Sequence, residues 1–197
     1  MTRPSPLYAA LAAVSWLPVK LVYRLRARGL ENVPRDTGFV LAANHTSNFD
    51  PWPLALPLFP RRWLRFMAKS ELYWFPLGAL LNAGGAFPVR RGAGDVEAIA
   101  KAAELAREGE IVVMFPEGTR RKKGLRKKWT ARPHTGAARI ARDAGVPLVP
   151  AAVKGTDRLA RLGPLRVAYG PPVEVSGDLH ETTERLMVEI ERLYETL

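Results

Sequence analysis

The chain has 197 residues, of which 47% are hydrophobic and 25% are charged, so it is long enough for one domain with a full hydrophobic core. It contains no cysteine, which excludes a disulfide scaffold, a thiolate zinc site and a cysteine nucleophile. Thirty Lys and Arg against nineteen Asp and Glu give a net charge of +11, which predicts an anionic partner: nucleic acid, an anionic membrane surface or a phosphorylated substrate.

The N-terminal segment predicts a helix at a membrane surface. Residues 7–19 are uncharged and mostly apolar, but they are fewer than the about 20 that a membrane-spanning helix needs. Lys20, Arg24 and Arg28 then recur at every fourth position, which places them on one stripe of a helix. We therefore expect residues 1–28 to form an amphipathic membrane-docking helix on an anionic leaflet. The same pattern also suits a helix that packs on the domain.

The remaining residues, 29–197, predict a single α/β domain, because short β-rich runs alternate with helical stretches. The predicted strands are 39–43, 63–67, 87–89, 111–115, 148–153 and 165–169. The predicted helices are 72–81, 95–107, 136–143 and a last helix that begins at Asp178. This alternation is typical of a mostly parallel central sheet flanked by helices. In such sheets ligands bind beyond the carboxyl ends of the strands, so the residues that follow each strand are the candidates for chemistry.

The first candidate site follows the strand at 39–43, in the sequence Asn-His-Thr-Ser-Asn-Phe-Asp at 44–50. An imidazole accepts a proton near neutral pH, so His45 can act as a general base. A carboxylate five residues later can fold back onto the imidazole, fix its tautomer and stabilise the imidazolium, which is the role predicted for Asp50. Such a pair would activate a hydroxyl of the substrate. Asp50 also has a structural interpretation, because Asp followed by Pro51 is a favourable start for a helix.

A second candidate site is the sequence Phe-Pro-Glu-Gly-Thr-Arg at 115–120, which also follows a strand. Gly118 permits a close approach of the backbone to a ligand, Thr119 offers a hydroxyl, and Arg120 is a bidentate donor suited to phosphate. Glu117 can hold the arginines in place or contact a substrate hydroxyl. The alternative is a turn that leads into a solvated basic loop.

The excess of positive charge lies mainly in two places, the stripe after the apolar N-terminal residues and the run after Glu117. Arg91 lies just beyond the strand at 87–89, where it can make a second phosphate contact or be an ordinary surface arginine. Eight basic residues and one acid lie between Phe115 and Thr135, a pattern that also suits a solvated loop. His134, near the end of that run, is either a substrate contact or a plain loop residue.

Taken in order, four short blocks resemble those of the glycerolipid acyltransferase family, in its 1-acylglycerol-3-phosphate acyltransferase branch. The blocks are Asn44-His45-x4-Asp50, Gly-Ala-Phe-Pro-Val-Arg-Arg at 85–91, Phe-Pro-Glu-Gly-Thr-Arg at 115–120, and Val-Pro-Ala-Ala at 149–152. The resemblance spans about residues 30 to 173. Four blocks in the family's order are a specific signal, whereas each block alone is a weak one.

The resemblance implies a reaction and its partners. A fatty acyl group would move from a thioester, acyl-CoA or acyl-carrier protein, to the sn-2 hydroxyl of lysophosphatidic acid, giving phosphatidic acid. It implies that His45 is the general base and Asp50 its orienting carboxylate. Arg91, and the block Glu117, Gly118, Thr119 and Arg120, would then bind the acceptor. No metal or organic cofactor is expected, and the enzyme would be peripheral or monotopic on the cytoplasmic face of the cell membrane.

The assignment is chemically coherent, with some departures from the family pattern. Backbone N–H groups of the turn at 44–48, or those after Pro116, are expected to stabilise the oxyanion. Arg90 occupies a position that is often acidic in relatives, and His134 stands where relatives often have an aromatic-basic pair. The segment before His45 is short, so the membrane-docking helical pair of this fold is expected to be reduced to one helix.

Two other functions fit parts of the sequence. The first is an acyltransferase for another lysophospholipid or for a different hydroxylated lipid. The second is a non-catalytic module that binds an anionic membrane or nucleic acid through the basic run and Trp129. The sequence has no helix-turn-helix, aromatic RNA-binding signature or zinc finger, so nucleic acid is not expected as a partner.

Overall fold

One sheet of seven strands organises the part of the chain that the computed structural model describes, residues 5–60, 62–89, 96–118 and 133–197. The strands are β1 (Arg26–Arg28), β2 (Phe39–Ala43), β3 (Leu64–Lys69), β4 (Ala86–Val89), β5 (Ile111–Met114), β6 (Leu148–Lys154) and β7 (Arg166–Tyr169). The α-helices are α1 (Pro6–Leu21), α2 (Pro51–Ala55), α3 (Leu77–Ala83), α4 (Val96–Arg107), α5 (Gly136–Ala144) and α6 (Leu179–Glu195).

The strands lie in the order β1-β7-β6-β2-β5-β3-β4. Every neighbouring pair is parallel except β6 and β7, which are antiparallel. The prediction of an α/β fold with a mostly parallel sheet is therefore confirmed. Because β6, β2 and β5 are adjacent and point the same way, the segments that follow them leave the sheet side by side at one edge.

Apolar residues cover both faces of the sheet. Strand β2 is fully buried, and its successive residues alternate between two apolar clusters on opposite faces. Helices α4, α5 and α6 pack on one face, and α2 with the turn after it packs on the other. A continuous apolar run such as Phe-Val-Leu-Ala-Ala is what a parallel strand between two helical layers requires.

The N-terminal helix ends earlier than expected, so the predicted helix over residues 1–28 is wrong beyond Leu21. Arg24, three residues beyond the end of α1, adopts a positive φ of 46°. Residues Arg26–Arg28 form the edge strand β1, which pairs with β7. In a longer helix these residues would leave the edge of β7 unpaired, whereas as a strand they bond to it. Arg28 therefore lies on the sheet and not on a helical stripe.

Helix α1 packs on the domain with one face only. Tyr8 and Ala12 are each 1% exposed and lie against Leu56, Trp52 and Trp63. The opposite face is apolar and exposed, at 48% for Leu7, 75% for Val14, 54% for Leu17 and 65% for Leu21. Among the described residues, no helix combines the length and apolarity that crossing a bilayer requires.

The helix predicted at 72–81 is also shorter than expected. A short 3-10 turn covers Ser70–Leu72, and α3 begins only at Leu77, with Pro76 as its N-terminal cap. A proline disfavours helical backbone in the residue before it, so Phe75 cannot continue a helix into Pro76. The other predicted helices and strands differ from the observed ones by one or two residues at their ends, apart from the chain-terminal segments.

Candidate active site

The segment after β2 is held to the neighbouring strand by a buried asparagine. Asn44 is 3% exposed, and its side chain makes two hydrogen bonds with Val153 of β6. Its Nδ2 donates to the Val153 carbonyl at 2.9 Å, and its Oδ1 accepts from the Val153 N–H at 2.8 Å. The amide side chain therefore continues the β2–β6 pairing one residue beyond the end of β2 and fixes where the next residue, His45, leaves the sheet.

His45 and Asp50 are in direct contact. The imidazole Nδ1 lies 2.9 Å from the Asp50 Oδ2. Asp50 is 0% exposed, whereas the His45 side chain keeps 18% of its surface exposed. Because Nδ1 faces the carboxylate, Nε2 is the ring nitrogen that points away from it. The carboxylate makes no side-chain hydrogen bond to the first turn of α2, so the interpretation of Asp50 as a simple helix cap is wrong.

The carboxylate of Asp50 accepts several further hydrogen bonds. Its Oδ2 also accepts from the backbone N–H groups of Thr46, at 2.6 Å, and Ser47, at 2.8 Å. Its Oδ1 accepts from the hydroxyl of Thr156 and lies 3.3 Å from that of Thr46. Every partner donates, as an ionised carboxylate requires. Asp50 can therefore hold His45 as the Nδ1–H tautomer and stabilise it when Nε2 takes a proton.

Two of the backbone amides expected to stabilise an oxyanion are thus already in use. The Thr46 and Ser47 N–H groups point at Asp50, inside the protein. The tight turn that brings Asp50 back to His45 requires this, because a buried carboxylate needs donors close at hand. An oxyanion site must therefore use other donors.

Phe115 fixes the plane of the imidazole. It directly follows β5, the parallel neighbour of β2, so it emerges beside His45. The two rings stack with their centroids 4.1 Å apart and their planes 17° apart. The hydrogen bond to Asp50 fixes the direction of Nδ1, and the stacked ring of Phe115 fixes the rotation of the imidazole about that direction.

The turn after Phe115 is closed by a glycine and covered by a histidine. The Gly118 N–H donates to the Phe115 carbonyl at 3.0 Å, and Gly118 has a φ of +68°. A Cβ at Gly118 would lie 2.4 Å from Cδ2 and Nε2 of His134. The His134 N–H also donates to the Pro116 carbonyl at 2.9 Å. His134 therefore packs directly on the backbone of the second candidate block, and only a glycine fits beneath it.

A buried tyrosine anchors the helix that follows Asp50. Tyr169 is 1% exposed, and its hydroxyl donates to the carbonyl of Leu54, in α2, at 2.8 Å. Burial raises the pKa of Tyr169 well above its usual value, so the hydroxyl keeps its proton and remains a donor at physiological pH. The end of the Asp50 segment is thus fixed to β7.

The model of the family described as Acyltransferase matches residues 24–154, about two thirds of the chain. The chain belongs to the acyltransferase family. The 1-acyl-sn-glycerol-3-phosphate acyltransferase of Bacillus subtilis is 35% identical over 170 residues, which cover 83% of this chain and 81% of that protein. The chloroplastic 1-acyl-sn-glycerol-3-phosphate acyltransferase BAT2 of Brassica napus is 32% identical over 145 residues, covering 72% and 40%.

A solved acyltransferase has the same fold. The crystal structure of the 1-acyl-sn-glycerophosphate acyltransferase PlsC from Thermotoga maritima has a TM-score of 0.69 and 25% identity, and the match covers 94% of this chain and 78% of that one. The predicted family, fold and enzyme class are confirmed: the chain is an acyltransferase of phospholipid biosynthesis.

Four of the predicted site residues lie among those that the structure describes. His45 and Asp50 are in contact, and Glu117 and Gly118 lie in the turn that begins at Phe115, the residue stacked on His45. Arg91, Thr119 and Arg120 lie outside the described residues, as does the basic run up to residue 132. Within the described part of the acyltransferase chain, no cluster of three or more His, Cys, Asp or Glu could hold a metal ion.

Sequence reasoning missed three contributors to the site: Asn44, Thr156 and the ring of Phe115 as a stacking partner. Asn44 and Phe115 were visible as members of two blocks, but their contacts run to other strands. Thr156 lies two residues beyond the part of the chain that the acyltransferase model matches. Its one sequence signal is its position shortly after the predicted strand at 148–153.

Proposed function

We propose that this acyltransferase moves a fatty acyl group from an acyl thioester to the sn-2 hydroxyl of lysophosphatidic acid, giving phosphatidic acid. The observation that carries the proposal is the contact between His45 and the buried carboxylate of Asp50, with Nε2 directed away from it. The relatives that support this acceptor are named 1-acyl-sn-glycerol-3-phosphate acyltransferases.

The proposed reaction begins with a proton transfer. Nε2 of His45 takes the proton of the acceptor hydroxyl while the oxygen of that hydroxyl attacks the carbonyl carbon of the thioester. Asp50 stabilises the imidazolium that forms, because its Oδ2 accepts the hydrogen bond from Nδ1. The tetrahedral intermediate then collapses, the carbon–sulfur bond breaks, and the thiolate leaves. The proton held by His45 passes to the thiolate or to solvent, which returns the base to its starting form.

Acceptor recognition is assigned to the turn at Glu117 and Gly118 together with Arg91, Thr119 and Arg120. The positive φ of Gly118 lets the chain turn back after Phe115 and lead into Thr119 and Arg120, and arginines are bidentate phosphate donors. The donor is acyl-CoA or acyl-carrier protein, both of which are anionic and suit the basic run at 120–132.

The proposed location is the cytoplasmic face of the cell membrane, with peripheral or monotopic attachment through α1. Its outward face carries four exposed apolar side chains, and the segment after β3 adds Trp74, 59% exposed, and Phe75, 90% exposed. Lys20, on the last turn of α1, lies 4.4 Å from the centre of the Trp16 ring. Exposed aromatic and apolar side chains beside cations are typical of helices that lie in the headgroup region of anionic bilayers.

The decisive experiment measures phosphatidic acid formation by the purified full chain from lysophosphatidic acid, with acyl-CoA and acyl-carrier protein compared as donors. We expect His45→Ala to lower kcat at least about a hundredfold, since it removes the general base. His180→Ala, an exposed histidine at the start of α6, is the matched control and should retain full activity.

Two outcomes would contradict the proposal. Full activity in the His45→Ala variant would exclude the mechanism. Equal turnover of a lysolipid that lacks a phosphomonoester would exclude lysophosphatidic acid as the preferred acceptor and favour the alternative of another hydroxylated lipid.

A further inference from the structure

The carboxylate of Asp50 is held from two directions, and one of them comes from a distant part of the chain. Thr156 is 106 positions away in sequence, yet its hydroxyl donates to Oδ1 of Asp50. Thr156 is 2% exposed and begins the 3-10 turn Thr156–Arg161 that follows β6. The family model ends at residue 154, so Thr156 lies outside the matched region.

The backbone before Thr156 holds this residue in place. The residue before it, Gly155, has a φ of +99°, and a Cβ there would lie 2.4 Å from the carbonyl oxygen of Pro164. Val153, two residues before Gly155, makes hydrogen bonds to the side chain of Asn44 through both its N–H and its C=O. The end of β6 is thus fixed relative to the end of β2, and with it the distance between Thr156 and Asp50.

The direction of the hydrogen bonds follows from counting protons. A threonine hydroxyl has one proton, and Thr156 gives it to Asp50, which as a carboxylate can only accept. The Thr46 hydroxyl lies 2.9 Å from that of Thr156 and 3.3 Å from Oδ1, so its single proton can go to either oxygen. The hydroxyls of Thr156 and Thr46 therefore both lie at Oδ1, with Thr156 as the closer donor, while Oδ2 receives the imidazole and two backbone amides.

We propose that Thr156 is a positioning residue of the acyl transfer: its hydroxyl sets the rotation of the Asp50 carboxylate so that Oδ2 meets Nδ1 of His45. Three contacts converge on Oδ2, whereas Oδ1 receives the short bond from Thr156 and a longer one, at 3.3 Å, from Thr46. Both oxygens turn together about the Cβ–Cγ bond, so the bond from Thr156 to Oδ1 also restrains the position of Oδ2. This inference rests on the proposed function of His45 and Asp50.

The test replaces Thr156 by valine, which keeps its shape and removes the hydroxyl. We expect kcat to fall about ten- to a hundredfold, the usual cost of one hydrogen bond to a charged group. We expect KM for acceptor and donor to change less than about twofold, because Thr156 acts through Asp50 and His45. Thr156→Ser restores the hydroxyl and should recover most of the activity.

The matched control is Thr183→Val on α6. Thr183 is equally buried, at 2% exposed, and its hydroxyl bonds the Leu179 carbonyl of its own helix at 2.6 Å, away from Asp50. This variant should lose stability without losing kcat. If the Thr156→Val protein does not fold, Thr156→Ala is the second variant, with the same expected loss of kcat and the same recovery by serine.

A spectroscopic readout separates positioning from simple stabilisation. The proton on Nδ1 of His45, bonded to Asp50, should give a downfield resonance in the NMR spectrum of the wild-type protein. We expect this resonance to shift or broaden in Thr156→Val and to stay unchanged in Thr183→Val. An unchanged resonance, wild-type kcat in Thr156→Val, or a serine variant as impaired as the valine variant would each overturn the inference. An inactive wild-type enzyme would instead count against the proposed function, and the resonance would still test the contact.

Discussion

The turn at His45 and helix α1 are attached to the same domain in different ways. The turn is held by directional hydrogen bonds to a carboxylate that is 0% exposed, and the partners of that carboxylate come from two parts of the chain, the turn itself and Thr156. Helix α1 is held mainly by apolar contacts of Tyr8 and Ala12, with one hydrogen bond from the Ser5 hydroxyl to the Ala83 carbonyl at 3.2 Å, and leaves its other face in solvent. Proton transfer depends on positions defined to a fraction of an ångström, which polar networks provide. A bilayer contact requires only exposed apolar area.

The largest expected effect comes from changing the carboxylate at the centre of the turn. Asp50→Asn should lower kcat by about 10²–10⁴-fold, the range for loss of general acid–base assistance. The neutral amide cannot stabilise the imidazolium, and its nitrogen cannot accept the hydrogen bonds that Oδ1 of Asp50 takes from the hydroxyls of Thr156 and Thr46. Initial rates with saturating lysophosphatidic acid measure the loss.

The control for this substitution is Asp143→Asn at the end of α5. Asp143 forms ion pairs with Arg139, at 3.6 Å, and Arg142, at 3.0 Å, on the surface, where such pairs contribute little stability. Its rates should match those of the wild type. If Asp50→Asn kept kcat within about threefold, the negative charge beside the base would have no part in the mechanism, and the contrast with α1 would disappear.

Reasoning from the sequence succeeded where the contacts are local and failed where they join distant parts of the chain. The strand at 39–43 was predicted at its observed ends, because five buried apolar residues between two helical layers leave an unambiguous pattern. The His45–Asp50 contact was accessible because both residues lie in one turn. Thr156 was not, because the packing of β6 beside β2 brings it to Asp50, and no local pattern records that. Strand β1 was mistaken for helix because its three edge residues are partly exposed and have no apolar alternation.

An intermediate effect is expected at the turn after β5, where backbone and side chain meet. Gly118→Ala places a Cβ 2.4 Å from the His134 ring, in a backbone with a φ of +68°. A left-handed conformation costs a non-glycine residue about 1–2 kcal/mol, and displacement of His134 adds to that. We expect the melting temperature to fall by more than about 4 °C and the apparent KM for the phosphorylated acceptor to rise about tenfold. Thermal unfolding and acceptor titrations measure the two effects.

Gly145→Ala separates the two causes. Gly145 has nearly the same φ, +66°, but a Cβ there would meet nothing within 4 Å. This variant should therefore show the conformational cost alone and an unchanged KM. Equal losses of stability and equal KM values in the two variants would mean that the contact between Gly118 and His134 has no influence on the acceptor site.

The smallest effect on turnover, and the one that tests the other side of the comparison, is expected on the outer face of α1. The double substitution Val14→Ser and Leu17→Ser removes apolar groups that are 75% and 54% exposed and make no core contact. The free energy of unfolding should change by less than about 0.5 kcal/mol, and kcat with a monomeric short-chain acceptor should not change. Sedimentation with anionic vesicles should fall about tenfold or more, since each side chain contributes about 1 kcal/mol or more when it enters the interface.

Val188→Ser, 65% exposed on α6, serves as the control, because it removes a similar side chain from a face that no proposal assigns to the membrane. If both variants bound vesicles as the wild type does, the exposed face of α1 would not be the membrane contact. If both lost binding equally, attachment would depend on total exposed apolar area and not on α1, and the two regions would no longer differ in the way their packing predicts.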